Sequence, residues 1–160
     1  MITALSKWSR QLVSTRSKIA GGTAPVLSPK SVLLAEDDPD VRAFAALVIH
    51  ALGYEVVEAN NGQEALAILK QRHERPVDLL MTDLMMPAMS GKDLADRLWR
   101  RFPMQRVLFF SGYPERMARQ RWQLDPDVAF LQKPFSSHAL AAKLREMLED
   151  PALPSPARNL

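Results

Sequence analysis

Between residues 31 and 150 short apolar runs break off in polar residues and give way to segments of helical period. Ser31–Ala35 (Ser-Val-Leu-Leu-Ala) reads as a buried strand, cut off by Glu36-Asp37-Asp38. Pro39 stands where a first helical residue belongs, with Asp38 as its N-cap. Val41, Phe44, Ala45, Val48 and Leu52 then fall on one helix face. Gly53 stops that helix, and residues 54–59 form a second strand. Asn61 and Glu64 have capping-box spacing ahead of Ala65, Leu66, Ile68 and Leu69. Residues 77–82 make a third strand ending in Asp83, and Ser90 precedes a helix carrying Leu94, Leu98 and Phe102. A fourth strand over 106–110 ends in Ser111-Gly112, and a basic helix follows over 114–123. A short fifth strand over 128–131 ends at Lys133-Pro134, and Ser136 opens a last helix with Leu140, Leu144 and Met147 on one side.

Strands alternating with helices, in runs too apolar for a sheet wetted on one side, predict a parallel α/β sandwich. The flanks lack this pattern. Residues 20–30 are Gly/Pro-rich and read as a linker, and residues 151–160 hold three prolines in ten positions. The expected organisation is a basic extension and linker over 1–30, a domain over 31–150 and a Pro-rich tail over 151–160.

Composition narrows the function classes. The chain has 160 residues and no cysteine, which excludes disulfides, iron–sulfur clusters, thiolate zinc and a thiol nucleophile. No apolar run reaches the ~18–20 residues that cross a bilayer. The net charge of +3 and the pI near 9.4 suggest a polyanion partner. Residues 1–30, however, carry Lys7, Arg10, Arg16, Lys18 and Lys30 and no acid, whereas residues 31–150 hold 15 basic against 18 acidic residues. The basic pI therefore belongs to the extension, and no nucleic-acid partner is expected of the mildly acidic domain.

The candidate chemistry lies at strand C-termini: Glu36 and Asp37, Asp83, Ser111 and Lys133. In an open doubly wound sheet that edge is where ligands bind. Carboxylates converging from neighbouring strands, with a lysine as the nearby cation, call for a hard divalent metal such as Mg2+ or Mn2+ and not zinc. A metal, a lysine, a hydroxyl and a carboxylate nucleophile are what phosphoryl transfer needs. Each residue alone has a plainer reading, since Asp and Ser cap helices; four strand ends supplying compatible groups to one rim is what favours a site.

Glu36-Asp37-Asp38-Pro39, the stretch Met81-Thr82-Asp83-Leu84-Met85-Met86-Pro87-Ala88-Met89-Ser90-Gly91, Phe110-Ser111-Gly112-Tyr113 and Leu131-Gln132-Lys133-Pro134-Phe135 together resemble the receiver domains of two-component response regulators. Residues 31–149 follow that family in order and spacing, and the wording is closest to receivers of hybrid histidine kinases. The resemblance implies a CheY-like (βα)5 fold, a five-stranded parallel sheet of order 2-1-3-4-5. It implies Asp83 as phosphoacceptor, taking a phosphoryl group from a phosphohistidine, and Asp37, Asp83 and the Met85 carbonyl as Mg2+ ligands, with Glu36 acting through water. Lys133 would pair with a phosphoryl oxygen ahead of a cis bond to Pro134. Ser111 would be the switch hydroxyl and Phe130 the switch aromatic. The implied partners are a sensor histidine kinase or histidine phosphotransfer protein and a downstream protein target, in the cytoplasm. Such a protein is no enzyme beyond its own phosphorylation and dephosphorylation, and no DNA-binding output follows residue 150.

Two departures from the family pattern matter. Phe130 replaces the commoner Tyr, so no phenolic hydrogen bond holds its inward state. Met85 and Tyr113, two residues beyond Asp83 and Ser111, are bulky and position water poorly, which predicts slow autodephosphorylation. Met81, Met85, Met86 and Met89 read as packing and loop filling, and His50, His73 and His138 as surface or helix-end residues. Arg116, Arg119 and Arg121 form either a solvated face or a docking surface for an acidic partner or a second receiver. Ile2, Leu5, Trp8, Leu12 and Ile19 recur at nearly helical spacing among basic residues, as in a basic amphipathic helix, a transit-like leader or a flexible arm. The rival to the phosphoacceptor is a binding module that never turns over phosphate; the intact set Glu36, Asp37, Asp83, Ser111 and Lys133 argues against it.

Overall fold

A computed structural model of the chain describes residues 28–72 and 76–149. The readings of residues 1–27, of His73 and of the tail lie outside the described residues.

The elements run β1 (Ser31–Ala35), α1 (Pro39–Ala51), β2 (Glu55–Ala59), α2 (Gly62–Gln71), β3 (Leu79–Asp83), α3 (Gly91–Arg101), β4 (Val107–Ser111), α4 (Glu115–Trp122), β5 (Ala129–Gln132) and α5 (Ser137–Glu149). All strand pairs are parallel, in the order β2-β1-β3-β4-β5. This is the expected receiver topology. The side-chain period of two divides each central strand between two cores. Leu33, Leu80 and Phe109 face α2, α3 and α4, while Val32, Leu34, Met81 and Phe110 face α1 and α5. β1, β3 and β4 are buried along their whole length, as the apolar runs required. β2 departs from that expectation: it is an edge strand, and only Ala59 is buried.

Polar caps set the helix starts. Asp38 Oδ1 accepts the N–H groups of Asp40 and Val41 at 2.9 and 3.1 Å. Asn61 Oδ1 accepts Glu64 N–H at 2.8 Å, and Glu64 Oε2 accepts Asn60 N–H at 2.7 Å, one residue beyond the N-cap N–H of the reciprocal capping box. Ser90 and Ser136 hydroxyls accept from Asp93 and Ala139 N–H, both at 3.1 Å.

Several details differ from the sequence pattern: β2, β4, α4 and β5 shift or shorten by one residue at one or both ends, and three further differences concern β3, Phe102 and Phe44. β3 starts at Leu79 and runs through Asp83, so the polar pair Thr82-Asp83 belongs to the ladder. The preceding Asp78 turns its carboxylate onto Ser31 N–H and Oγ at 2.7 and 3.1 Å. Phe102 caps the C-terminus of α3 at φ −129° rather than lying within the helix, and packs partly buried against the core of Leu94 and Leu98. Phe44 is 39% exposed, because the buried stripe of α1 runs through Ala45, Ala46, Val48 and Ile49. Its ring meets Phe135 at 6.1 Å instead of entering the core.

At the N-terminal edge of the sheet, Lys30, just before β1, and Leu148 and Glu149, at the end of α5, line one cleft of about 820 Å³ together with Phe102 and Met104.

Candidate functional site

Parallel pairing gathers every strand C-terminus at one edge. Glu36 and Asp37 follow β1, Asp83 ends β3, Ser111 ends β4 and Lys133 follows β5. Carboxylate oxygens of Glu36, Asp37 and Asp83 lie within 4.8 Å of one another. Lys133 Nζ donates to Glu36 Oε2 and to Asp83 Oδ2, each at 2.7 Å, and sits 5.0 Å from the centre of the Phe110 ring. Asp37 is exposed, whereas Glu36 is fully buried and Asp83 nearly so.

The backbone fixes these groups. Glu36 Oε1 accepts Asp38 N–H at 3.0 Å, and Asp83 Oδ1 accepts Met85 N–H at 2.9 Å. Lys133 N–H donates to the Ser111 carbonyl at 2.8 Å, and the Lys133–Pro134 bond is cis, as the resemblance implied. Ser111 is buried; its Oγ accepts Tyr113 N–H at 3.2 Å and shares with Asp83 the lining of a cleft of about 440 Å³. Phe130, expected from the resemblance to be the switch aromatic, is buried in the same core cluster as Phe109 and Ala118.

The electrostatics follow from burial and from the uneven count of charges. Burial pushes the Glu36 carboxyl above its ordinary range, against the bonds from Lys133 and Asp38 N–H, and the neighbouring Asp83 charge adds to the rise. Burial alone would lower the Lys133 ammonium, but its bonds to Asp83 and Glu36 reverse that and hold it above the usual lysine range. Three carboxylates share one ammonium, and the cluster contains neither His nor Cys. An all-oxygen, anion-rich donor set of this kind fits a hard divalent cation.

Two residues that hold the site were not read from the sequence. Arg42 Nη1 donates to the Glu36 carbonyl at 2.7 Å, and its Nε lies 3.5 Å from Glu58 Oε2. A Cβ on Gly91 would stand 2.0 Å from the Asp83 carbonyl oxygen and 2.8 Å from Thr82 Oγ1, so only glycine lets α3 start against the end of β3. Its place directly after the Ser90 cap was the available signal; for Arg42 the sequence offered none.

The basic helix is corrected in part. Arg119 is no solvated side chain: it donates to Glu115 Oε1 and to the carbonyls of Asp125 and Val128, tying α4 to the loop before β5. Arg116 and Arg121 are exposed. Met81, Met86 and Met89 are buried, in keeping with packing, but Met85 is 46% exposed beside Asp83. His50 and His138 lie on the surface.

The family model described as the response regulator receiver domain matches residues 32–145, and the chain belongs to that family. The response regulator receiver protein CpdR of Brucella abortus is 34% identical over 119 residues, 74% of this chain and 97% of that protein. The sensor kinase CckA of the same organism is also 34% identical, over 137 residues, and there the chain spans 14% of the relative's length. Among solved structures, the receiver domain of the hybrid histidine kinase CckA aligns with a TM-score of 0.62 at 34% identity, covering 74% of this chain and 98% of that one. The Vibrio cholerae chemotaxis protein CheY4 aligns with a TM-score of 0.66 at 25% identity, covering 76% of this chain and all of that one.

Proposed function

We propose that the chain accepts a phosphoryl group on Asp83 from the phosphohistidine of a sensor histidine kinase or a histidine phosphotransfer protein, and that the modification switches its contacts with a downstream protein. The supporting observation is the shared ammonium: Lys133 bridges Glu36 and Asp83 beside the exposed Asp37 carboxylate. In the transfer an Asp83 carboxylate oxygen attacks phosphorus, the P–N bond to the imidazole breaks, and its electron pair stays on the ring nitrogen. Lys133 offsets charge on the phosphoryl oxygens. The Ser111 hydroxyl turns from Tyr113 N–H to donate to one of them, and buried Phe130 packs behind it. Asp37, Asp83 and the Met85 carbonyl would hold Mg2+ (or Mn2+), with Glu36 acting through water. When bound, the metal supplies positive charge to the equatorial oxygens of the transferring group.

The chain acts in the cytoplasm through protein contacts and catalyses only its own phosphorylation and dephosphorylation. The fourth-helix face, with Arg116 and Met117 exposed, is where a target or a second receiver docks. Met85 and Tyr113 line the cleft over Asp83 and make the phosphoryl group long-lived. Incubation with acetyl phosphate and Mg2+, read on a phosphate-affinity gel, tests the assignment. Wild type should shift and Asp83→Asn should not; an unmodified wild type, or an unchanged shift in the variant, overturns it.

A further inference from the structure

Two clefts, one lined by Asp83 and the other by Asp37, share one wall. Asp83, Met85, Ser111, Tyr113, Pro114 and Met117 line the first. Asp37, Met85, Met86, Pro87, Ser90 and Trp122 line the second. Met85 is the wall common to both, and α4 reaches both, through Met117 to one and through its last residue, Trp122, to the other. The Tyr113 and Trp122 rings meet edge-on, with centres 5.6 Å apart and planes at 73°. The Arg121 guanidinium lies 5.8 Å from the Tyr113 ring centre and 5.2 Å from that of Trp122. Directly after Trp122 the helix ends in Gln123 at φ 49°, and Leu124 N–H bonds back to the Arg119 carbonyl at 3.0 Å, which fixes the direction in which Trp122 leaves α4. Edge-to-face rings and a cation over them attract one another. Tyr113 is therefore held from the far end of α4 as well as by its own turn.

We propose that Trp122, clamped by Arg121, is a positioning residue that keeps the Tyr113 ring as a cover over the Asp83–Ser111 cleft and so sets the lifetime of the phosphoryl group. The inference rests on the phosphoacceptor reading. In the hydrolysis it controls, a water oxygen attacks phosphorus, the P–O bond to Asp83 breaks, the electron pair returns to the carboxylate, and the water's proton leaves with orthophosphate. Ring faces and thioethers align that water poorly, so its access limits the rate. Loss of the indole frees the Tyr113 ring to swing away from the cleft beside Asp83 and admit water.

The test loads the full chain with radiolabelled acetyl phosphate and Mg2+, removes the donor and follows the loss of label. Trp122→Ala should shorten the lifetime about fivefold or more, and Arg121→Ala about twofold. Trp122→Phe, which keeps an aromatic edge against Tyr113, should restore the lifetime to within about twofold of wild type. Melting temperatures of the variants serve as the control for folding. A labelled Trp122→Ala that decays like wild type overturns the clamp alone. So does a Trp122→Phe that decays as fast as Trp122→Ala, or a lifetime that merely follows melting temperature through the series. Absence of label on wild type overturns the phosphoacceptor reading, and the clamp with it.

Discussion

The two edges of the sheet treat polar side chains in opposite ways. At the N-terminal edge they tie loops to strand starts: Asp78 accepts Ser31 N–H and Oγ, Tyr54 donates to Glu149 Oε1 at 2.6 Å, Trp99 Nε1–H donates to the Gln105 carbonyl at 2.9 Å, and Arg106 donates to the Met147 carbonyl. Among the described residues two buried side-chain atoms at that edge, Gln105 Oε1 and Arg72 Nη1, have no hydrogen-bond partner. At the C-terminal edge three carboxylates crowd around one ammonium, and one of them, Glu36, is fully buried. Neighbouring carboxylates repel, so this arrangement costs stability while it prepares the edge for a cation and a phosphoryl group. One edge holds the fold together and the other holds it ready for chemistry.

Removing a crowded charge at the C-terminal edge and removing a polar tie at the N-terminal edge should therefore move stability in opposite directions. The largest effect is expected for Asp83→Asn, which abolishes phosphorylation. It should nevertheless raise the melting temperature of the metal-free chain by removing one of the crowded charges, and Mg2+ should stabilise wild type but not this variant in thermal melts. A lower melting temperature in Asp83→Asn would break the comparison. Next comes Gly91→Ala, whose added carbon must displace the Asp83 carbonyl; it should cost about 3 kcal/mol in urea unfolding and impair labelling as well. Asp78→Ala leaves a buried strand start without its acceptor and should cost about 2 kcal/mol, with the labelling rate unchanged, since it acts only at the far edge. The smallest effect is expected for Tyr54→Phe, at about 1 kcal/mol.

Tyr54 also sharpens the comparison through pH. Burial, then the bond to Glu149, pushes its hydroxyl from 10 up to about 12. A folded-state value above the unfolded one means that the contribution is complete below pH 10 and is lost as pH rises towards 12. Urea melts at pH 9 and pH 11 should show wild type losing stability over that interval and Tyr54→Phe keeping its own.

Much of this was legible in the sequence because the relevant signals are local. Apolar runs marked the central strands, Asp38, Ser90 and Ser136 marked helix starts by capping chemistry, and Glu36, Asp37, Asp83, Ser111 and Lys133 could be placed on one rim once the strands were taken as parallel. The features that stayed hidden depend on contacts between distant segments. Trp122 looks like any helical aromatic until Gln123 turns the chain and brings the indole to Tyr113. Phe44 shares the helical period of the core, yet its exposure depends on how closely the alanines beside it let α1 approach the sheet. Arg119 counted as surface charge because no one-dimensional pattern locates the Asp125 and Val128 carbonyls that receive it.

The cleft shared by Lys30, Leu148 and Glu149 has a consequence for the way this fold is assembled into larger proteins. The backbone comes in and goes out at neighbouring points on the face turned away from Asp83. Both points of entry and exit thus lie at the edge of the sheet opposite the carboxylate cluster. The two relatives agree with such a placement: the matched region makes up 97% of CpdR and 14% of the much longer CckA.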